Sequence, residues 1–120
     1  MRLSLKMFLT VALLLFLGSS CSLEEPAIEG RVYWLEGSQF LVVSGIETVD
    51  IPYDEWFDSG EHAAIVFTVV PQTRFRLSDR YGGLDDLKVG SRVRVWADGG
   101  IALSYPGQAG AGRVEILKEQ

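Results

Sequence analysis

A chain of 120 residues, 48% of them apolar, with 13 glycines and a net charge of −5, suits one domain with a core of its own. The acidic balance argues against a nucleic-acid partner and against a polybasic grip on anionic lipid, since both need a strong positive field. The single cysteine excludes an intramolecular disulfide.

The chain opens with Arg2 and Lys6, followed by an apolar run from Met7 to Leu17 and the small residues Gly18, Ser19 and Ser20. That order is the pattern of a secretory signal. The uncharged stretch from Met7 to Leu23 falls short of the roughly 20 residues a spanning helix needs. Leu17-Gly18-Ser19-Ser20-Cys21 resembles a bacterial lipobox, with Gly18 where Leu is commonest. The resemblance implies cleavage of residues 1–20 and acylation of Cys21, palmitate among the chains, at the new N-terminus. Several acyl chains on one residue give stable anchoring where one does not. The alternative is plain secretion with Cys21 incidental.

Residues 21–27 then form the lipidated Cys21 and a polar tether, SLEEPA, and residues 28–120 the domain. Ile28 to Leu35 and Gln39 to Ser44 read as a hairpin around the turn Glu36-Gly37-Ser38. Ile46, Val49 and Ile51 suggest a short extended piece, and Asp54 to Phe57 a helical turn ended by Ser59-Gly60. Ala63 to Val70 is a gapless apolar run whose length and β-branching favour a buried strand. Pro71 interrupts it and Thr73 to Leu77 resumes with alternation. Tyr81-Gly82-Gly83 reads as a loop and Leu84 to Lys88 as a single helical turn. Ser91 to Ala97 is a strong strand, with Val93, Val95 and Ala97 on one side and Arg92, Arg94 and Trp96 on the other. Asp98-Gly99-Gly100 predicts a tight hairpin turn. Gln108 to Gly112 reads as a flexible connector, and Arg113 to Leu117 as the last strand.

The fold class is therefore mostly β: a small antiparallel five- to six-stranded OB-like barrel after a cleaved signal peptide. An SH3-like barrel or small open roll is the alternative. The run from Gly99 to Ala109, GGIALSYPGQA, then Arg113-Val114-Glu115-Ile116, with DLKVGSRVRVWADGG upstream, resembles a family of small bacterial lipoproteins of unknown function. The resemblance implies a Gram-positive-type setting and an OB-like fold, and it carries over no catalytic residue.

Candidate ligand-binding positions are few. Tyr105 and Gln108 flank Pro106 and Gly107, in a loop where a cis bond before proline is plausible; turn chemistry explains Pro106 and Gly107 equally well. Arg92 and Arg94, like Arg74 and Arg76, are two apart, so each pair lines one strand face. Together they suit an anionic envelope polymer, or else a solvated face paired with acids across the sheet. Trp96, with Trp34 and Trp56, suits a sugar-stacking surface or ordinary packing. The acidic stretch with Glu47, Asp50, Asp54, Glu55, Asp58 and Glu61 lacks the spacing of a calcium loop. His62 is the only histidine, so no histidine-based metal cluster is available. We find no nucleophile elbow and no nucleotide-binding motif. The sequence thus assigns no catalytic residue, no metal and no cofactor.

The functional expectation is a non-catalytic binding module, anchored to the membrane through Cys21 on the extracytoplasmic face. Its partner would be an envelope protein or glycan rather than nucleic acid. A structural or accessory envelope protein ranks next, and a carboxylate-dependent enzyme acting on envelope polymers last.

Overall fold

A computed structural model describes residues 25–118; the predicted signal peptide and Cys21 lie outside the described residues. Seven strands follow in order: β1 (Ile28–Glu36), β2 (Gln39–Val43), β3 (Ala64–Thr68), β4 (Arg74–Arg76), β5 (Tyr81–Gly82), β6 (Arg92–Ala102) and β7 (Gly107–Ile116). A short helix, α1 (Tyr53–Ser59), lies between β2 and β3, and a 3-10 turn (Leu84–Asp86) precedes β6. Among the described residues no helix is long and apolar enough to cross a membrane.

Five strands close a barrel in the order β1-β2-β3-β7-β6 and back to β1. Four of its seams are antiparallel, and the closing seam between β3 and β7 is parallel, Ile65 to Thr68 against Gly107 to Gly110. The OB-like barrel is therefore mixed rather than antiparallel. Parallel closure is forced because direction alternates along the row β3-β2-β1-β6-β7, so the two end strands of five run the same way when the sheet curls on itself. Just beyond β3 the chain bends at Pro71 and returns to the same edge of β7, where β4 pairs with Arg113 to Glu115. Thr73 fixes the bend: its Oγ1 donates to the Ala111 carbonyl at 2.6 Å and accepts from the Val70 N–H at 2.9 Å.

The barrel interior holds Val32, Phe40, Val42, Phe67, Val93, Val95, Ala111 and Val114, all fully buried, with Phe40 and Phe67 stacked at 5.6 Å. Full burial of each large aliphatic or aromatic side chain there contributes about 1.5–3 kcal/mol. A second cluster lies outside the barrel wall. Leu41, Val43 and Ala64 point outward from β2 and β3 and are covered by Ile46 and Trp56. That explains the ungapped LVV of β2: both of its faces are buried.

The cover is the segment from Gly45 to His62. It forms no strand at residues 46–51, contrary to the expected extended piece; Ile46 and Trp56 turn inward instead. Tyr33 Oη donates to the Ile51 carbonyl at 2.7 Å, tying the cover to β1. Asp54 and Glu55 in the first turn of α1 complement the helix dipole. Gly60, in the left-handed region with φ 66°, ends it with an N–H to the Phe57 carbonyl.

The long β6–β7 hairpin differs from the sequence reading in two places. Asp98-Gly99-Gly100 is no turn: β6 runs through it to Ala102 with an irregular register between Asp98 and Ala102, and Gly99 takes φ 84°. Residues 108–112 are no flexible connector: they are the first half of β7, hydrogen-bonded to β3 on one side and β6 on the other. The small residues serve close strand approach there, since a Cβ on Gly112 would lie 3.2 Å from the Trp96 carbonyl oxygen. The actual reversal is at residues 103–106, with a cis Tyr105–Pro106 bond and Ser104 Oγ donating to the Pro106 carbonyl at 2.8 Å.

Candidate binding surface

The interior claims alternate residues of β1, β6, β7 and β4, so the residues between them share the outer wall. On β6, Val93 and Val95 are buried while Arg92, Arg94 and Trp96 face out. The register then sets rows across the wall. Arg31 lies beside Arg92; Glu29, Arg94, Glu115 and Arg76 form a second row; Trp96, Arg113 and Arg74 form a third.

The rows interlock. Glu29 accepts from Arg94 Nε at 2.7 Å and from Arg92 Nη2 at 3.1 Å. Glu115 lies 3.3 Å from Arg113 Nη2 and 3.9 Å from Arg94 Nη1. The Arg113 guanidinium stacks 3.8 Å above the Trp96 ring, and Arg76 stands 5.6 Å over Tyr81. Arg31 Nη1 donates to the Gly90 carbonyl at 3.0 Å. Arg92, Arg94 and Arg113 keep between 42% and 50% of their side-chain surface, so their guanidinium edges remain open to a ligand. Six arginines (31, 74, 76, 92, 94 and 113) thus share a wall with two glutamates. The acids of the 45–62 cover lie on another wall, which is how an acidic chain presents a basic face. An open groove of about 650 Å³ runs where the two meet, bounded by Arg31, Arg92, Ile46 and Glu47.

The Arg94 hydrogen bond holds the Glu29 carboxyl below its ordinary value of 4.5; partial burial opposes this and Arg92 adds to it. A lowered carboxylate contributes stability above the unfolded value and loses it as pH falls through the folded one. We therefore expect Glu29→Gln to cost under about 1 kcal/mol at neutral pH, because the cluster is exposed. The difference from the native chain should fade as pH drops below 4.5. Urea melts at a series of pH values would check this, and a gap that persists in strong acid would contradict it.

The structure separates the residues singled out in the sequence. Arg92, Arg94 and Trp96 come together on the arginine wall. Tyr105 and Gln108 do not join them. The Tyr105 ring stacks on Phe57 at 4.9 Å and its hydroxyl donates to the His62 carbonyl at 2.7 Å. Burial, then the neighbouring Tyr53, pushes its hydroxyl above the ordinary value. Gln108 is exposed on β7, one residue past the strand's start. Trp56 is fully buried in an aromatic box with Tyr33, Tyr53, Phe57 and Tyr105, so it packs rather than offering a stacking face. His62 Nδ1 lies 2.8 Å from the Ser44 carbonyl, which it meets as a donor. Among the described residues no three His, Cys, Asp or Glu side chains are gathered to hold a metal.

Sequence reasoning missed Arg31, Arg113, Glu29 and Glu115 as members of this face. The alternation of IEGRV and RVEI carried the signal, but which strands are neighbours is a matter of topology. The fold and surface define a small OB-like β-barrel domain with an arginine-lined outer wall. The chain belongs to the family described as "Protein of unknown function (DUF3221)", whose model matches residues 29–118. That span covers the barrel except for Ile28 at the start of β1, and the family is uncharacterised, as the C-terminal pattern led us to expect. No curated protein and no solved structure matches the chain.

Proposed function

We propose that this protein is a lipid-anchored, non-catalytic binding module of a Gram-positive-type cell envelope, and that its arginine wall takes an anionic envelope polymer bearing repeated phosphate or carboxylate groups. The observation that carries the reading is the convergence of six arginines on one exposed wall of an acidic chain. Arginine forks suit phosphate and carboxylate oxygens, and stacking on Trp96 and Tyr81 holds two of them in place. The Cys21 anchor supports the location, because several acyl chains hold a protein stably where its net charge does not.

The wall that OB barrels commonly use, the outer face of strands 2 and 3, is covered here by Trp56 and its neighbours. Binding is therefore directed to the β1-β6-β7-β4 wall.

The test uses a synthetic poly(glycerol phosphate) chain titrated into the protein. Arg74 and Arg76 are exposed and form no ion pair among the described residues, so Arg74→Gln with Arg76→Gln leaves the Glu29 and Glu115 clusters intact. Loss of even one charge-assisted contact of about 1.5 kcal/mol corresponds to roughly tenfold weaker binding. We expect at least that loss and a flatter dependence on salt, with an unchanged circular dichroism spectrum. Native protein that ignores the polymer, or a double variant that binds as tightly, would overturn the assignment.

A further inference from the structure

Six large apolar or aromatic side chains stay exposed among the described residues: Tyr53, Tyr81, Val89, Ile101, Leu103 and Tyr105. Four of these collect at one end of the barrel. Ile101, Leu103 and Tyr105 are alternate residues around the reversal between β6 and β7. Leu103 at the apex is 104% exposed, as open as an isolated residue. Tyr53 joins them through Phe57, which stacks on Tyr53 at 5.1 Å and on Tyr105 at 4.9 Å. The barrel needs none of this surface for its core: the pairing of β6 with β7 ends at Ala102 and Gln108, and Leu103 projects beyond it.

The same end is where the tether enters. The Ala27 N–H donates to the Val95 carbonyl at 2.8 Å, and Ile28 pairs with Val95 in an antiparallel seam. Residues of β6 after Val95 therefore run back past the start of β1, toward the side from which the chain arrives. Glu25 and Ala27 lie in a shallow hollow against Trp96 and Ala97. From Val95 to Leu103 the strand, shortened by the bulge between Asp98 and Ala102, advances roughly 20 Å. From Cys21 to Ala27 the chain spans at most about 20 Å. A tether no longer than that advance keeps the hairpin within reach of the surface that holds Cys21.

We propose that the β6–β7 hairpin tip, with Leu103 at its apex and Ile101, Tyr105 and Tyr53 behind it, seats in the headgroup region of the membrane that carries the lipid anchor. The proposal rests on the anchoring of Cys21 set out above. Leucine supplies the apolar apex, and the tyrosines match the half-wet, half-apolar zone in which aromatic residues with a polar tip are enriched. Asp54, Glu55 and Asp58 share α1 with Tyr53 and Phe57, so the contact gains nothing from positive charge. Seating the tip fixes the barrel's orientation. The arginine wall, at residues 92–94 and 113–115, then stands well above the bilayer with its rows open to the envelope.

The experiment uses the full-length protein in membranes of a Gram-positive host. The chain has one cysteine, Cys21, whose thiol is consumed by lipidation, so one introduced cysteine gives a single labelling site. Leu103→Cys and Ser38→Cys, at opposite ends of the barrel and both exposed, are labelled with an environment-sensitive thiol dye and challenged with iodide. We expect blue-shifted emission and loss of iodide quenching at 103, with full quenching at 38. Equal quenching at both positions in protein that fractionates with membranes would overturn the tip contact and leave the anchor standing. Protein found in the aqueous fraction would overturn the anchor, and the tip contact with it.

Discussion

Replacing Trp56 by alanine is expected to lower the unfolding free energy by about 3–5 kcal/mol, the range for emptying a large aromatic site in a core. Trp56 has no exposed surface. Its ring makes edge contacts with Tyr33 at 5.4 Å and Tyr53 at 4.8 Å, and Tyr105 lies at 6.3 Å. It is also the side chain by which α1 covers Leu41 and Val43, so its loss uncovers the outer side of β2. Collapse into the space is hindered because the neighbouring rings are held elsewhere, Tyr33 by Ile51 and Tyr105 by His62. Trp56→Phe should cost well under half as much. It retains most of the ring contact, and it removes an indole N–H that has no hydrogen-bond partner among the described residues. Urea unfolding followed by circular dichroism separates the two. An alanine variant within about 1 kcal/mol of the native chain would show that the 45–62 segment contributes no core.

Gly30→Ala is the second large effect. Gly30 sits in β1 where that strand turns from pairing with β6 to pairing with β2. A Cβ there would drive into the Val43 carbonyl and the Ser44 Cα. These are backbone atoms inside a ladder, so relief requires parting β1 from β2 rather than rotating a side chain. The expected loss is at least about 2–3 kcal/mol, at the upper end of overpacking costs. Gly100→Ala is the control. Nothing lies within 4 Å of its added methyl and its φ needs no glycine, so a change within about 0.5 kcal/mol is expected. Equal melting of the two variants would mean that β1 does not cross β2 as closely as described.

The two substitutions act on different walls. The Trp56 cover occupies the outer side of β2 and β3, and the Gly30 crossing closes β1 against β2 so that its outward residues, Glu29 and Arg31, meet Arg94 and Arg92. The arginine wall therefore depends on barrel closure, and the hairpin tip depends on β6 running past the start of β1 while β7 stays paired with β3 from Gly107 onward.

Much of this was legible in the sequence, for local reasons. The hairpin of β1 and β2, the strand at β3 and the strand at β6 follow from β-branched residues with alternation or an ungapped apolar run, and from Gly37 at the turn. The split of Arg92 and Arg94 from Val93 and Val95 follows from a period of two. The helical turn around Trp56 and its glycine stop were visible in the same way. Three features needed the tertiary structure. Asp98-Gly99-Gly100 has the chemistry of a turn, yet Asp98 pairs with Gly110 and Ala102 with Gln108, so β6 carries the glycines as a bulge rather than reversing there. The run Gln108 to Gly112 has the composition of a linker, yet its small side chains let β7 lie between β3 and β6. And each arginine pair announces only its own strand; that β7 lies between β4 and β6, and so brings Arg74, Arg76, Arg113, Arg92 and Arg94 onto one wall, is set by how the sheet curls and closes. Alternation is a property of neighbours in the chain, whereas a binding surface is a property of neighbours in space.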